Sequence, residues 1–173
     1  CVQKKSNAVV AVYFGDGASS TGDCHEAMNF ASIHQLPVIF ICENNGYAIS
    51  VPLSKQMAIK KISVRAASYN MPGITIDGTD VGAVFKSVSE AADRARSGNG
   101  PTLIEAMVER YLPHTGDDDD KRYRSKEELK QARKKDPVAI LKVLLKTNNI
   151  LNEETDAEIN KIAKKLSRKT SIG

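Results

Sequence analysis

The stretch AVVAVYFGDGASSTGDCHE (residues 8–26) decides the fold. Residues 8–14 form a continuous apolar run of strand length, the kind a parallel sheet buries on both faces. The run stops at Gly15-Asp16-Gly17. Helical spacing then starts near Thr21 to Asp23 and continues through HEAMNFASIH, with Ala27, Phe30, Ala31 and His34 predicted on one face. A turn needs one glycine at most. The second glycine and the carboxylate between them point to an anion, with its counter-ion, at the end of the strand.

Working outward, LPVIFICE (36–43) reads as a second buried strand, and ENNGYAISVP (43–52) as a turn and a short extended piece. Residues 54–69 read as helix, with Met57, Ile59, Ile62 and Ala66 as its apolar positions. MPGITIDG (71–78) is turn, short strand, turn, and 81–98 is an amphipathic helix stopped by Gly98. PTLIEAMVER (101–110) is a further strand. Alternating strands and helices predict an α/β fold with a mostly parallel sheet flanked by helices. The pattern breaks at 112–124, a charged stretch without apolar periodicity, read as a long surface loop that is disordered until a ligand binds. SKEE (125–128) then reads as a capping box, with Ser125 capping and Glu128 reaching back, and two or three helices fill 125–168. The expected division is an α/β core over 1–112, a loop over 113–124 and a C-terminal helical segment over 125–173.

Composition excludes several classes. The net charge of +4 is concentrated in C-terminal lysines at helical spacing, which reads as a solvated helix face, and Trp is absent, so no nucleic-acid partner is expected. No apolar run is long enough to span a membrane. Cys1, Cys24 and Cys42 form no CxxC, which fits a reducing compartment, and Cys24 and Cys42 read as small core residues. The chain opens on Cys1 and leads straight into a strand, which reads as an interior piece of a longer protein. GDGASSTG lacks both the GxGxxG spacing and the Lys-Ser/Thr of a P-loop.

Ligands of open α/β sheets sit beyond the carboxyl ends of the strands. Two such ends occur, Gly15-Asp16-Gly17 and Glu43-Asn44-Asn45-Gly46-Tyr47, one strand–helix–strand crossover apart. An Asp carboxylate and an Asn amide oxygen are hard ligands suited to Mg²⁺ or Ca²⁺ rather than zinc. The backbone N–H groups of Gly17 and Ala18 are open to phosphate oxygens. Taken singly, GDG is common turn chemistry and NNG a good hairpin turn; the pair after two buried strands is the more specific signal.

GDG followed by NN at this separation resembles the signature of thiamine-diphosphate enzymes. GDGASSTGDCHEAMNFASIHQLPVIFICENNGYAISVP and DGTDVGAVFKSVSEAADRARSGNGPTLIEA resemble the α subunit of the E1 component of 2-oxo acid dehydrogenases. The loop ending PHTGDDDDKRYR is similar to bacterial branched-chain members. The resemblance implies the thiamine-diphosphate-binding fold, with Mg²⁺ held by the Asp16 carboxylate, the Asn45 amide oxygen and the Tyr47 carbonyl. It implies diphosphate contacts from Gly17 and Ala18, Ile49 beside the cofactor, and His114 as the loop histidine that faces the thiazolium ring and assists acyl transfer to a lipoyl group. Arg110, Asp118, Tyr123 and Arg124 match a hydrogen-bonded scaffold for that loop.

The resemblance further implies an α₂β₂ assembly docked on a lipoyl acyltransferase (E2) core, cytoplasmic in bacteria and in the mitochondrial matrix of eukaryotes. The β subunit would supply the glutamate that activates the cofactor, so this chain alone is expected to be inactive on its 2-oxo acid substrate. Thr115 follows His114 where mitochondrial relatives carry a phosphoserine, but the DDDD run at 117–120 would repel a phosphate. His25 and His34 read as local helix-end residues, and Glu43 and Asn44 as neighbours that orient the metal turn. Pyruvate or acetoin dehydrogenase, and a non-catalytic subunit scaffold, are the competing readings.

Overall fold

The structure, a computed structural model, describes residues 6–170, so Cys1 lies outside the described residues. Two compact units divide the chain, 1–135 and 136–173.

The first unit is an α/β sandwich around a four-stranded parallel sheet. Its elements run β1 (Val10–Gly15), α1 (Gly22–Ile33), β2 (Val38–Asn44), β3 (Tyr47–Ala48), β4 (Val51–Pro52), α2 (Leu53–Gln56), β5 (Gly73–Asp77), α3 (Val81–Arg96), β6 (Thr102–Met107) and α4 (Lys126–Ala132). The sheet order is β1-β2-β6-β5, and β3 and β4 form a separate antiparallel hairpin. Strand side chains alternate between two cores. On one face Phe40, Cys42 and Leu103 pack against Met28 and Ala31 of α1 and against Ile62 and Ala66. On the other, Ile39, Ile41 and Ile104 pack against Ala91 of α3. Met28, Ile62, Leu103 and Ile104 are fully buried, each contributing about 1.5–3 kcal/mol.

Three expectations are corrected. First, β1 is an edge strand rather than one buried on both faces: Val10, Val12 and Tyr13 are exposed, Tyr13 by 64%. Among the described residues β1 pairs with β2 alone, and the Ala91 and Val88 face of α3 covers β2 and β6. Second, α1 buries Met28 and Ala31, with Cys24 packed beside them, whereas Phe30 is 58% exposed and His34 is an exposed C-cap. Third, 54–69 is not one helix. The chain leaves α2 at Met57, which is extended, and re-forms as a 3-10 helix over Ile62–Tyr69 that ends at left-handed Asn70.

Other local signals act as their chemistry dictates. The Asp80 side chain caps α3 by accepting from the Gly82 and Ala83 amides, and Gly98 follows the helix at φ +74. Cys42 is a core residue and Cys24 packs against the same cluster. The expected capping box is half formed. Ser125 Oγ accepts from the Glu128 amide at 3.1 Å, but the Glu128 carboxylate is taken by Arg124 Nε at 2.8 Å and by the Tyr47 hydroxyl at 3.2 Å. Those bonds tie α4 to the α/β unit, which extends to Lys135.

The second unit contains α5 (Pro137–Thr147) and α6 (Glu153–Thr170). Asp136 caps α5 with Pro137 at its first position, and Asp156 of α6 accepts from Lys142 at 2.5 Å. Among the described residues no helix is long and apolar enough to cross a membrane.

Candidate functional site

β1 and β2 pair in parallel with Gly15 opposite Glu43, so both strands end at one edge of the sheet. The Asp16 turn and the Asn44–Tyr47 turn therefore leave the sheet side by side. Asp16 is 1% exposed. Its backbone carbonyl accepts from the Ser19 amide (3.2 Å), Ser19 Oγ (2.7 Å) and Gln56 Nε2 (2.9 Å). Its carboxylate is treated differently: both oxygens are buried and neither has a hydrogen-bond partner among the described residues. Burial raises the Asp16 carboxyl above the usual carboxylate range, opposed by the peptide groups of Asp16 and Asn45 and by the Arg110 charge. The Asp16 backbone is pinned while its side chain is left without a donor, the arrangement a cation completes.

The turn after Asp16 is a 3-10 helix over Ala18–Ser20, in which Ser19, Ser20 and Thr21 amides bond back to residues 16–18. The Gly17 and Ala18 amides stand at its open end. Arg65 clamps the turn by donating to the Ser19 carbonyl and, at 2.9 Å, to Ser19 Oγ. Gly17 has a structural reason beyond ligand access: a Cβ there would lie 2.8 Å from the Ala48 Cβ of β3. The second glycine thus lets the hairpin pack onto the turn.

In the neighbouring turn, Asn45 Oδ1 accepts from the Tyr47 amide at 3.1 Å, which leaves one of its lone pairs for another partner. Gly46 adopts φ +82. Ile49 sits in the left-handed region at φ +58, a strained conformation for a β-branched residue, and its side chain is exposed. Arg110 Nη1 holds the Ile49 carbonyl at 2.9 Å. Open clefts of about 450 Å³ and 540 Å³ flank this turn, and Gly46 lines both.

Asp16, Gly17, Ala18, Asn45 and Tyr47 are thus gathered at one sheet edge, with Ile49 next to them. His114 is placed differently. Its side chain is exposed and makes no hydrogen bond among the described residues; its amide donates to Asp118 Oδ2 at 2.8 Å. Asp118 also accepts from the Tyr123 hydroxyl (2.6 Å), Tyr123 from Arg110 (2.8 Å), and the Arg110 carbonyl from Arg124 (2.6 Å). The Tyr123 and His114 donors hold the Asp118 carboxyl below its ordinary range. Arg110 stacks over Tyr47 and Tyr123, each at 5.8 Å, and Arg124 over Tyr47 at 5.6 Å. Polar and stacked groups, rather than apolar anchors, therefore connect the His114 loop to the Asn45–Tyr47 turn.

The Asp16 carboxylate and the Asn45 amide oxygen are the kind of oxygen donors that suit a hard divalent cation. Among the described residues no group of three or more His, Cys, Asp or Glu side chains could hold a metal ion.

The family model of the dehydrogenase E1 component matches residues 1–170. The chain belongs to the dehydrogenase E1 component family. It is 50% identical over 153 residues to the 2-oxoisovalerate dehydrogenase subunit alpha of Bacillus subtilis, covering 88% of this chain and 46% of that protein. It is 44% identical over 163 residues to pyruvate dehydrogenase E1 component subunit alpha of Staphylococcus aureus and of Staphylococcus epidermidis, covering 94% of this chain and 44% of each relative. The chain spans less than half the length of these curated relatives.

Sequence reasoning missed Gln56, Arg65, Glu105 and Glu128. Glu105 carries a local signal as a lone carboxylate inside the apolar strand TLIEAM, and Glu128 carries one for a different role, as the capping partner in SKEE.

Proposed function

We propose that this chain supplies the metal and diphosphate half of a thiamine-diphosphate site in the E1 component of a 2-oxo acid dehydrogenase. The observation that carries the reading is the Asp16 carboxylate, 1% exposed, with both oxygens lacking a partner. Asp16, the Asn45 amide oxygen and the Tyr47 carbonyl hold Mg²⁺; the Gly17 and Ala18 amides receive the diphosphate; Ile49 borders the cofactor. When bound, thiamine diphosphate supplies the electron sink for decarboxylation of a 2-oxo acid.

The chain's own residues bind and position. Gln56 and Arg65 fix the backbone that aims the Gly17 and Ala18 amides. Arg110 spans from the Ile49 carbonyl to Tyr123 and so sets the His114 loop against the turn. His114 brings an imidazole, a side chain able to donate, accept and carry a proton, to the reacting centre. The remaining cofactor contacts come from a β subunit in an α₂β₂ assembly, and the product passes to the lipoyl group of an acyltransferase core.

Branched-chain 2-oxo acids are the preferred substrates. The support is the 50% identity to a protein named for 2-oxoisovalerate, against 44% to those named for pyruvate. The test is calorimetric titration of the full-length protein, co-expressed with its β partner, with thiamine diphosphate at fixed Mg²⁺. Binding is expected to require Mg²⁺ and to vanish in Asp16→Ala and Asn45→Ala. Equal binding by those variants removes the metal reading, and no binding by the intact protein leaves the two turns as structural and a subunit scaffold as the better reading. Comparison of kcat/KM for 2-oxoisovalerate and pyruvate then decides the substrate, with a higher value for pyruvate overturning the branched-chain assignment.

A further inference from the structure

Glu105 lies in the middle of β6 with none of its surface exposed, yet it is fully partnered. Its Oε1 accepts from Asn44 Nδ2 at 2.8 Å. Its Oε2 accepts from the Ser63 amide and Thr75 Oγ1, both at 3.0 Å. Burial on its own would raise this carboxyl, but those donors and the Ile62 peptide outweigh it and hold it below the ordinary glutamate range. An ionised carboxylate only accepts hydrogen bonds. The Asn44 amide therefore has one permitted orientation, with its NH₂ toward Glu105. Its oxygen must then face the other way, where it accepts from the Gly46 amide at 2.9 Å. Gly46 is the left-handed residue at φ +82 between Asn45 and Tyr47.

We propose that Glu105 is a positioning residue for the metal turn: by fixing which way round the buried Asn44 amide lies, it locks the Gly46 N–H and sets the Asn45–Gly46–Tyr47 conformation. This rests on the reading of Asn45 and Tyr47 as metal ligands. The chain of contacts runs from β5 and the Ile62–Tyr69 helix, through β6, to the end of β2, so the turn is tied to the sheet's interior rather than to its own loop. Outer-shell partners of this kind typically alter metal affinity by about 10–100-fold when removed.

The substitution that isolates orientation from volume is Glu105→Gln. If the introduced amide keeps its oxygen on Ser63 and Thr75, its NH₂ meets Asn44, which must turn over and place its own NH₂ against the Gly46 N–H. Adding Asn44→Asp repairs the arrangement, because a carboxylate at position 44 accepts both from the new amide at position 105 and from the Gly46 N–H. The measurement is Mn²⁺ affinity by electron paramagnetic resonance at saturating thiamine diphosphate, with thermal midpoints recorded in parallel, on the full-length protein in its native assembly. E105Q is expected to weaken Mn²⁺ by about tenfold or more, and N44D/E105Q to restore it. E105Q with a lowered midpoint but wild-type Mn²⁺ affinity would mean a purely structural Glu105 and overturn the proposal. Should E105Q not fold, the double variant decides: wild-type affinity supports the proposal, and weak binding by the folded double variant overturns it. Asp16→Ala separates the two ideas. If it binds Mn²⁺ like wild type, the metal reading falls and takes the proposal with it; if it loses Mn²⁺ while E105Q does not, positioning by Glu105 alone is wrong.

Discussion

Asp16 and Glu105 are both buried carboxylates of one α/β unit, at 1% and 0% exposure, and the fold handles them in opposite ways. Glu105 receives three side-chain and backbone donors and is held below its ordinary range. Asp16 makes no side-chain hydrogen bond among the described residues, and burial raises it. Their places in the sheet explain the difference. Glu105 sits mid-strand, where β5, β2 and the Ile62–Tyr69 helix surround it with donors. Asp16 sits just past a strand end, where its backbone is fixed and its side chain faces the neighbouring turn. Equal burial thus accompanies opposite treatment: one carboxylate is satisfied from within the fold, and the other is the group proposed above to take a cation.

The sharpest way to break the comparison is Asp16→Ala, which should abolish Mg²⁺-dependent thiamine diphosphate binding in calorimetry. Retained binding would show that the unpartnered Asp16 carboxylate takes no metal. Glu105→Ala should strike stability as well as the metal turn. It strands donors on Asn44, Ser63 and Thr75, and the free energy of urea unfolding should fall by about 3 kcal/mol. In the ligand-free protein Asp16→Ala should instead raise that free energy by about 1 kcal/mol, since it removes an unsatisfied buried group.

Acid titration extends the contrast. A glutamate held below its unfolded value of 4.5 stabilises fully above that pH and loses its contribution as pH falls through the folded value. Urea midpoints measured from about pH 6 to about pH 3 should therefore drop more steeply for wild type than for Glu105→Gln; parallel curves would show that Glu105 is not the group responsible. The smallest effect belongs to Tyr47→Phe. It deletes the bond to Glu128 but keeps the ring contacts with Arg110 and Arg124, worth about 0.5–1 kcal/mol. Limited proteolysis within 112–124 should speed up slightly, and no change would show that stacking alone holds the loop.

The two neighbouring turns at the sheet edge are legible in the sequence because each follows an apolar strand and carries residues that ordinary turns do not need. The alternation of strand and helix is legible for the same reason, and the family model covering 1–170 agrees with it. What supports the turns is not. The partners of Glu105 lie 61, 42 and 30 positions away, so no local spacing reveals them. The buried face of α1 is misread from sequence because Phe30 has greater apolar bulk than Cys24, yet the sheet reaches Met28 and Ala31. Residues 54–69 carry helical spacing throughout, but Gln56 turns its side chain onto the Asp16 carbonyl and the chain becomes extended at Met57. Glu128 has the sequence of a capping partner and is drawn away by Arg124 and Tyr47, which only the tertiary fold brings near.

The exposed β1 has a consequence for solution behaviour. In the sheet of the described residues this apolar edge strand, with Val10, Val12 and Tyr13 exposed, offers open main-chain groups and carries no charge, proline or bulge to discourage docking by another strand. Residues 1–173 produced alone should self-associate through this edge as concentration rises, with solubility failing before the turns lose their shape. Tyr13→Lys or Val12→Lys, placing a charge at the open edge, should keep such a preparation monodisperse in analytical ultracentrifugation while leaving Asp16 and Glu105 untouched.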